Sequence, residues 1–178
     1  MGEQEVHLRS PALDDEAQVA DAQPELAAEC FEFVFQQPDE SWSSYVARVD
    51  RQRHGRDLPP GRVPSTFLVA DVGGVVVGRV SIRHELNDQL DAVGGHIGYA
   101  VRPRYRRRGY ARSILRQSLD VARALGLSRV LITCDDDNVA SASLIESFGG
   151  ILEDVLSVDG ATPTRRYWID LERRTDQP

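Results

Sequence analysis

Residues 94–126 join a strand pattern to a helix pattern through an arginine-rich turn, and this junction constrains the chain more than any other segment. Gly94 to Val101 reads as a strand, and Pro103 opens a turn that ends Arg106-Arg107-Arg108-Gly109-Tyr110-Ala111. From Gly109 to Leu125 apolar residues recur at helical spacing, at Ile114, Leu115, Leu119, Val121, Ala122 and Leu125, and Gly126 supplies a C-cap. The first N–H groups of such a helix lack intrahelical acceptors, and the helix dipole favours negative charge beside them. Gly109 lets a ligand approach the backbone closely. Six of the eleven residues from 102 to 112 are Arg, whose planar fork suits phosphate. The unit predicts an anion site at the end of a sheet, fed by the backbone N–H groups of residues 107–112.

The remaining patterns supply the other layers. Glu5 to Arg9 alternates as a first strand closed by Pro11. Asp14 to Cys30 is helix-prone, with Pro24 as a break. Ser41 to Arg53 reads as a helix capped by Ser41, with Trp42, Tyr45, Val46 and Val49 as its apolar positions. Trp42 and Tyr45 suit core packing at that spacing, with a pocket lining as the alternative. Thr66 to Val72 and Val75 to Glu85 form a hairpin about Gly73-Gly74, and residues 86–93 connect it to the Gly94–Val101 strand. Arg129 to Cys134 is a buried strand, and Asn138 to Phe148 is a helix ended by Gly149-Gly150. Ile151 to Val158 and Thr164 to Leu171 make a closing hairpin. Without a repeat or linker, residues 1–178 read as a single domain of α+β, or mixed α/β, class.

Bulk properties narrow the partners. A net charge of −7 argues against nucleic acid and anionic membrane, so the Arg run points to a small phosphorylated molecule. No apolar run reaches membrane-spanning length and no signal-peptide core opens the chain, so a cytoplasmic location is expected. Cys30 and Cys134 form no spacing pattern and read as free thiols, and no metal-ligand spacing occurs. All 21 basic residues are Arg, so the chain has no lysine of its own to modify.

Arg106-x-x-Gly109-x-Ala111 resembles the Gln/Arg-x-x-Gly-x-Gly/Ala loop of the GCN5-related N-acetyltransferases, the GNAT superfamily. The preceding strand His96-Ile97-Gly98-Tyr99-Ala100-Val101, the Pro103 turn and the segment Ile132 to Gly150 fit the same family, so the likeness covers roughly residues 66–170. The resemblance implies the acyl-CoA N-acyltransferase fold. Its central, mostly antiparallel sheet is splayed between the fourth and fifth strands, with helices on both faces and acetyl-CoA in the gap. It assigns the pyrophosphate to the backbone of Arg107, Arg108, Gly109, Tyr110, Ala111 and Arg112. Arg106 or Arg108 adds charge, and Arg102, Arg104 and Arg112 reach the ribose phosphate. Tyr99, Ala100 and Val101 pair with the pantetheine arm, and the Val101 N–H polarises the acetyl carbonyl. Asn138 matches an Asn that bonds the pantetheine. Seven residues later, relatives often carry a Tyr that protonates the departing thiolate. Here that position is Ile145, which has no proton to give. Ser141 stands one turn after Asn138 as a sulfur or cofactor contact, and Tyr99 is the less favoured replacement. The strand Gly95 to Tyr99 resembles one branch of predicted acetyltransferases whose acceptor has no name.

The implied reaction is direct attack of a primary amine, on a small molecule or peptide, upon acetyl-CoA in a ternary complex, without metal. The absent Tyr leaves a non-catalytic CoA-binding regulatory module as the alternative. An amine must lose a proton to react, and His96, with an ordinary pKa of about 6.5, suits that task. Strand alternation groups it with Gly98 and Ala100. The competing reading of His96 is a strand-start residue that satisfies backbone groups. Glu85, His84 and Asp135 are the other substrate-binding candidates, whereas Asp136 and Asp137 read as a solvated capping run. Cys134 as an acyl carrier is disfavoured by its buried strand and acidic neighbours. A homodimer through the last two strands is compatible with the resemblance.

Overall fold

A computed structural model of the chain describes residues 5–29, 31–157 and 162–172. In chain order the elements are β1 (His7–Arg9), α1 (Glu16–Ala27), α2 (Trp42–Arg53), β2 (Ser65–Val72), β3 (Val75–Arg83), α3 (Asp88–Ala92), β4 (Ile97–Val101), α4 (Tyr110–Ala124), β5 (Arg129–Asp135), α5 (Val139–Ser147), β6 (Ile151–Leu156) and β7 (Thr164–Asp170). The strands form two sheets, ordered β1-β2-β3-β4 and β5-β7-β6, and every pairing within them is antiparallel. The division falls between the fourth and fifth strands, as the resemblance implies.

The two sheets meet at the start of β4. His96 N–H donates to the Leu131 carbonyl at 2.7 Å, and Leu131 N–H donates to His96 Nδ1 at 2.9 Å. Gly95, with φ +58°, lies so close that a Cβ there would overlap the Leu131 carbonyl. A glycine at this point therefore lets the strands touch. Beyond it no ladder joins β4 to β5, so both strands present open backbone edges to a gap.

Register decides what lines each face. Val80 opposes Tyr99, Ile82 opposes Ile97 and Gly78 opposes Val101. Val80, Ile82, Ile97 and Val101 join Ile114, Leu115 and Leu119 of α4 in one core. Fully burying a Leu or Ile side chain such as Ile114 or Leu115 is worth roughly 1.5–3 kcal/mol, which holds α4 against the sheet. The other face of β3 and β4 carries Arg79, Ser81, Arg83, His96, Gly98 and Ala100, by alternation. Over that side α1 and α2 build a second core with Phe33, Tyr45, Phe67 and Val69. Trp42 and Tyr45 are both buried and stacked there, which makes them core residues.

Pro24 does not break the first helix as expected. It sits in the last turn of α1. The carbonyl it leaves without a donor belongs to Ala20, which is exposed and can turn to water, while Val19, Ala22 and Leu26 anchor the other side. The expected connection at 86–93 contains the short helix α3, capped by Asn87 through the Leu90 N–H. Cys30 and Val158 lie outside the described residues. Among the described residues no helix is long and apolar enough to cross a membrane.

Candidate active site

The loop from β4 to α4 has the backbone an anion site requires. Arg107 and Gly109 both take positive φ, 60° and 78°, on either side of Arg108. Alternating left-handed residues turn successive N–H groups into a concavity that accepts anions. Among the described residues the backbone N–H groups of 107–112 have no protein acceptor, and the first helical bond is Ser113 N–H to the Gly109 carbonyl at 3.2 Å. An Arg held at φ 60° stores about 1 kcal/mol of strain, which is tolerated where the surroundings fix the loop.

Those surroundings are two carboxylates, Glu25 in the last turn of α1 and Glu29 just beyond it. Arg102 is 2% exposed, and its guanidinium bonds Glu25 and the Val76 carbonyl. Arg104 also pairs with Glu25. Arg106 forms a two-point pair with Glu29 at 2.9 and 2.6 Å and bonds the Val101 carbonyl. This corrects the sequence-based assignment of Arg102 and Arg104 to a ribose phosphate, because both are bound to Glu25. It also turns Arg106 into a tether of the loop. Arg107, Arg108 and Arg112 have no carboxylate partner among the described residues.

Two cavities meet at the loop. One, of about 530 Å³, fills the gap between β4 and β5. Tyr99, Ala100 and Val101 line one wall, Asp135, Asn138 and Ser141 line the other, and Arg106, Arg107, Gly109, Tyr110, Ala111 and Arg112 close one end. The second, of about 610 Å³, lies outside the loop against Arg108, Arg112 and Arg116. Arg116, absent from the candidates that the sequence offers, stands one turn after Arg112 on α4, and Arg108 joins them from the loop.

Inside the gap, Tyr99 Oη and Ser141 Oγ are 3.1 Å apart. Strand alternation does turn Tyr99 away from His96, and that same turn carries its hydroxyl to α5. Burial raises the Tyr99 pKa, so the phenol keeps its proton at neutral pH. Asn138 caps α5 by accepting from Ser141 N–H at 3.1 Å, which leaves its amide NH₂ beside the cavity. Ile145 is fully buried in the core and does not line the cavity. Cys134 is half-buried, and burial raises its thiol pKa against the weaker opposing effects of Arg165 and Ser141.

His96 does not border the gap cavity. It is 6% exposed, its Nδ1 accepts from Leu131, and its ring meets Trp168 edge-on. Burial, reinforced by Arg83 and Arg129, pushes its pKa down to about 4. These facts match the backbone-satisfying reading rather than the base. His84 pairs with Thr66 Oγ1 at 2.8 Å, and burial lowers its pKa. Glu85 is exposed beyond the end of β3. Neither borders the cavity, so Asp135 is the one substrate-binding candidate found in its wall.

The model of the acetyltransferase (GNAT) family matches residues 25–149. The chain belongs to the GNAT family. No curated protein matches it in sequence. Among solved structures, RimJ from Mycobacterium smegmatis in complex with CoA-disulfide is similar at TM-score 0.70 and 23% identity, covering 97% of this chain and 84% of that one. A chimera of spermidine N-acetyltransferase SpeG from Vibrio cholerae and hSSAT is similar at TM-score 0.67 and 18% identity, covering 97% and 99%. Microcin C7 self immunity acetyltransferase MccE, in complex with acetyl-CoA and AMP, is similar at TM-score 0.63 and 18% identity, covering 93% and 92%.

This GNAT chain is an N-acetyltransferase. Its residues fit acetyl-CoA. The unpaired N–H groups at 107–112 suit a pyrophosphate, and Gly109 has no atom within 4 Å of the place a Cβ would take. The open edge of β4 suits an amide-bearing arm. Among the described residues no group of three His, Cys, Asp or Glu side chains is arranged to hold a metal ion.

Proposed function

We propose that the enzyme acetylates a primary amine by direct attack within a ternary complex, with Tyr99 and Ser141 taking the place of the Tyr absent at 145. The observation that carries the reading is the Tyr99–Ser141 pair, 3.1 Å apart in the wall of the cavity that ends at the anion loop. Bound acetyl-CoA supplies a thioester acyl group and a thiol that departs as the amine nitrogen bonds the acyl carbon. The N–H groups of 107–112 hold the pyrophosphate, and Arg108, Arg112 and Arg116 hold the phosphate-rich end. Tyr99, Ala100 and Val101 offer their open backbone edge to the pantetheine, and Asn138 offers its amide. The Val101 N–H donates to the acyl oxygen as that oxygen gains charge.

Tyr99 donates its hydroxyl proton toward the sulfur, and Ser141 fixes the direction of that hydroxyl. A thiol ordinarily titrates near about 8.5 and a phenol near about 10, so a hydrogen bond to the developing thiolate does more than complete transfer. Asp135 receives the acceptor's ammonium and passes its proton to water. His96 stays neutral and joins the two sheets. Residues 1–178 act as one catalytic domain, in the cytoplasm, and nucleic acid and membrane are not partners.

The test is free-thiol release from acetyl-CoA across polyamines, aminoglycosides, amino acids, arylamines and short peptides. Turnover with one amine class supports the reading. Tight acetyl-CoA binding with no release for any primary amine would overturn it.

A further inference from the structure

Among the described residues, two arginines on β3 stand without carboxylate partners. Among the described residues the buried Arg102 pairs with Glu25, and the buried Arg166 pairs with Asp91, Glu153 and Asp154. Arg79, 2% exposed, has no carboxylate within 4.0 Å among the described residues. It bonds the carbonyls of Gly98 and Glu32 at 3.1 and 2.7 Å and stacks on Phe31 and Phe35. Arg83, half-buried, also has none, and its Nη1 bonds the Gly94 carbonyl at 3.1 Å. An uncompensated cation taken out of water is costly, and two together on one face are more so. Burial and the positive charge of Arg62 lower the Arg83 pKa, and burial, then the charge of Arg83, lower that of Arg79.

The two differ in what they leave free. Among the described residues the sealed polar side-chain atoms without partners are Tyr45 Oη and Arg79 Nε. Among the described residues Arg83 Nε and Nη2 form no hydrogen bond and, unlike Arg79 Nε, they are not fully sealed. Two parallel N–H groups on one edge match the two oxygens of a carboxylate. The guanidinium lies over Gly98, where a Cβ would sit 3.1 Å from Nη1; Arg83 does not itself border the gap cavity, whose wall begins one residue on, at Tyr99. Helices α4 and α5 pack on the opposite face, where Ile114, Leu115, Ala142 and Ile145 share one core. Asp135, on the β5 wall of the gap, is exposed and forms no ion pair among the described residues.

We propose that the acceptor is an amino acid or a similar amine bearing its own carboxylate, gripped by the free Nε–Nη2 edge of Arg83 while Asp135 receives the amine. This rests on the acetyl-transfer reading above and names its substrate class. The chain as a whole is acidic, but the acceptor side of β3 is cationic, and a polyamine would meet repulsion there.

The experiment measures kcat/KM for matched pairs, each an amino acid and the amine left when its carboxylate is removed. The expected result is at least a tenfold preference for the acid in the wild-type enzyme, falling to near parity in Arg83→Gln with a raised KM for the amino acid. Equal or better turnover of the decarboxylated amines overturns the carboxylate assignment and leaves acetyl transfer standing. An acid preference that survives unchanged in a folded Arg83→Gln overturns the role of Arg83. Silence with every pair, while acetyl-CoA binds, overturns both this inference and the amine-transfer reading. The wild-type comparison stands even if the variant does not fold.

Discussion

Replacing His96 by Asn separates a structural imidazole from a catalytic base, because the two roles predict opposite effects on stability and rate. Leu131 N–H donates to Nδ1, so the neutral ring carries its proton on Nε2, and protonating Nδ1 would break the bond. Burial, then Arg83 and Arg129, hold the folded pKa at about 4 against an ordinary 6.5. Between those values the unfolded chain binds more protons than the folded one, so stability rises with pH across the window. The contribution is complete above about pH 6.5 and is lost as pH falls through about 4. The gap corresponds to about 3 kcal/mol in total, of which about 2 kcal/mol is gone by pH 5. Asn keeps an acceptor oxygen near the Nδ1 position and cannot titrate. Urea unfolding at pH 7.5 and 5.0 should show the wild type losing about 2 kcal/mol more than His96→Asn. At pH 8 the variant should keep kcat within about threefold. A hundredfold fall in kcat, with loss of a rate limb near pH 6.5, would refute the structural role and restore His96 as base.

Tyr99→Phe should lower kcat about 10- to 100-fold with little change in KM for acetyl-CoA, by steady-state thiol release, whereas full kcat in the variant would remove Tyr99 from the chemistry. Ser141→Ala should cost less, since it only frees the Tyr99 hydroxyl. Gly109→Glu places a carboxylate and a strained φ of 78° in the anion loop, and should raise the acetyl-CoA Kd by at least about 100-fold in calorimetry. Glu25→Ala leaves the buried Arg102 charge unpaired and should cost about 3 kcal/mol, read as a melting point roughly 10 °C lower.

The strand–loop–helix unit was legible because each of its signals is local: a turn proline, a left-handed glycine, a helical apolar stripe. The sheet division was legible only through resemblance, since nothing in the residues of β4 or β5 announces that they part. The misplacements share a cause. The chemistry and strand face of His96 suit a base, but its fate is set by Leu131, 35 residues away in sequence. Alternation turns Tyr99 from His96, which makes it the less favoured replacement in the sequence, and that same orientation brings it to Ser141. Arg83 lacks any sequence signal, because an unpaired cation is recognisable only once every possible partner has a position. Pro24 was weighed as a breaker without knowing that Ala20 faces water.

The arginine run shows how one residue type fills two roles by position alone. Arg102, Arg104 and Arg106 alternate along the chain as it leaves β4, and the end of α1 meets them with Glu25 in its last turn and Glu29 just beyond it. These pairs hold the left-handed backbone at 107 and 109, which a free loop would not keep. They also lower the pKa of both glutamates, so the clamp stays charged well below neutral pH. Arg107, Arg108 and Arg112, nearer the helix start, meet no carboxylate and keep their charge for a phosphate. If the clamp fixes the loop, Glu29→Ala should weaken acetyl-CoA binding although Glu29 is itself an anion beside the cavity. Were repulsion of phosphate its main effect, the same substitution would tighten binding, so the sign of the change in Kd decides between the two.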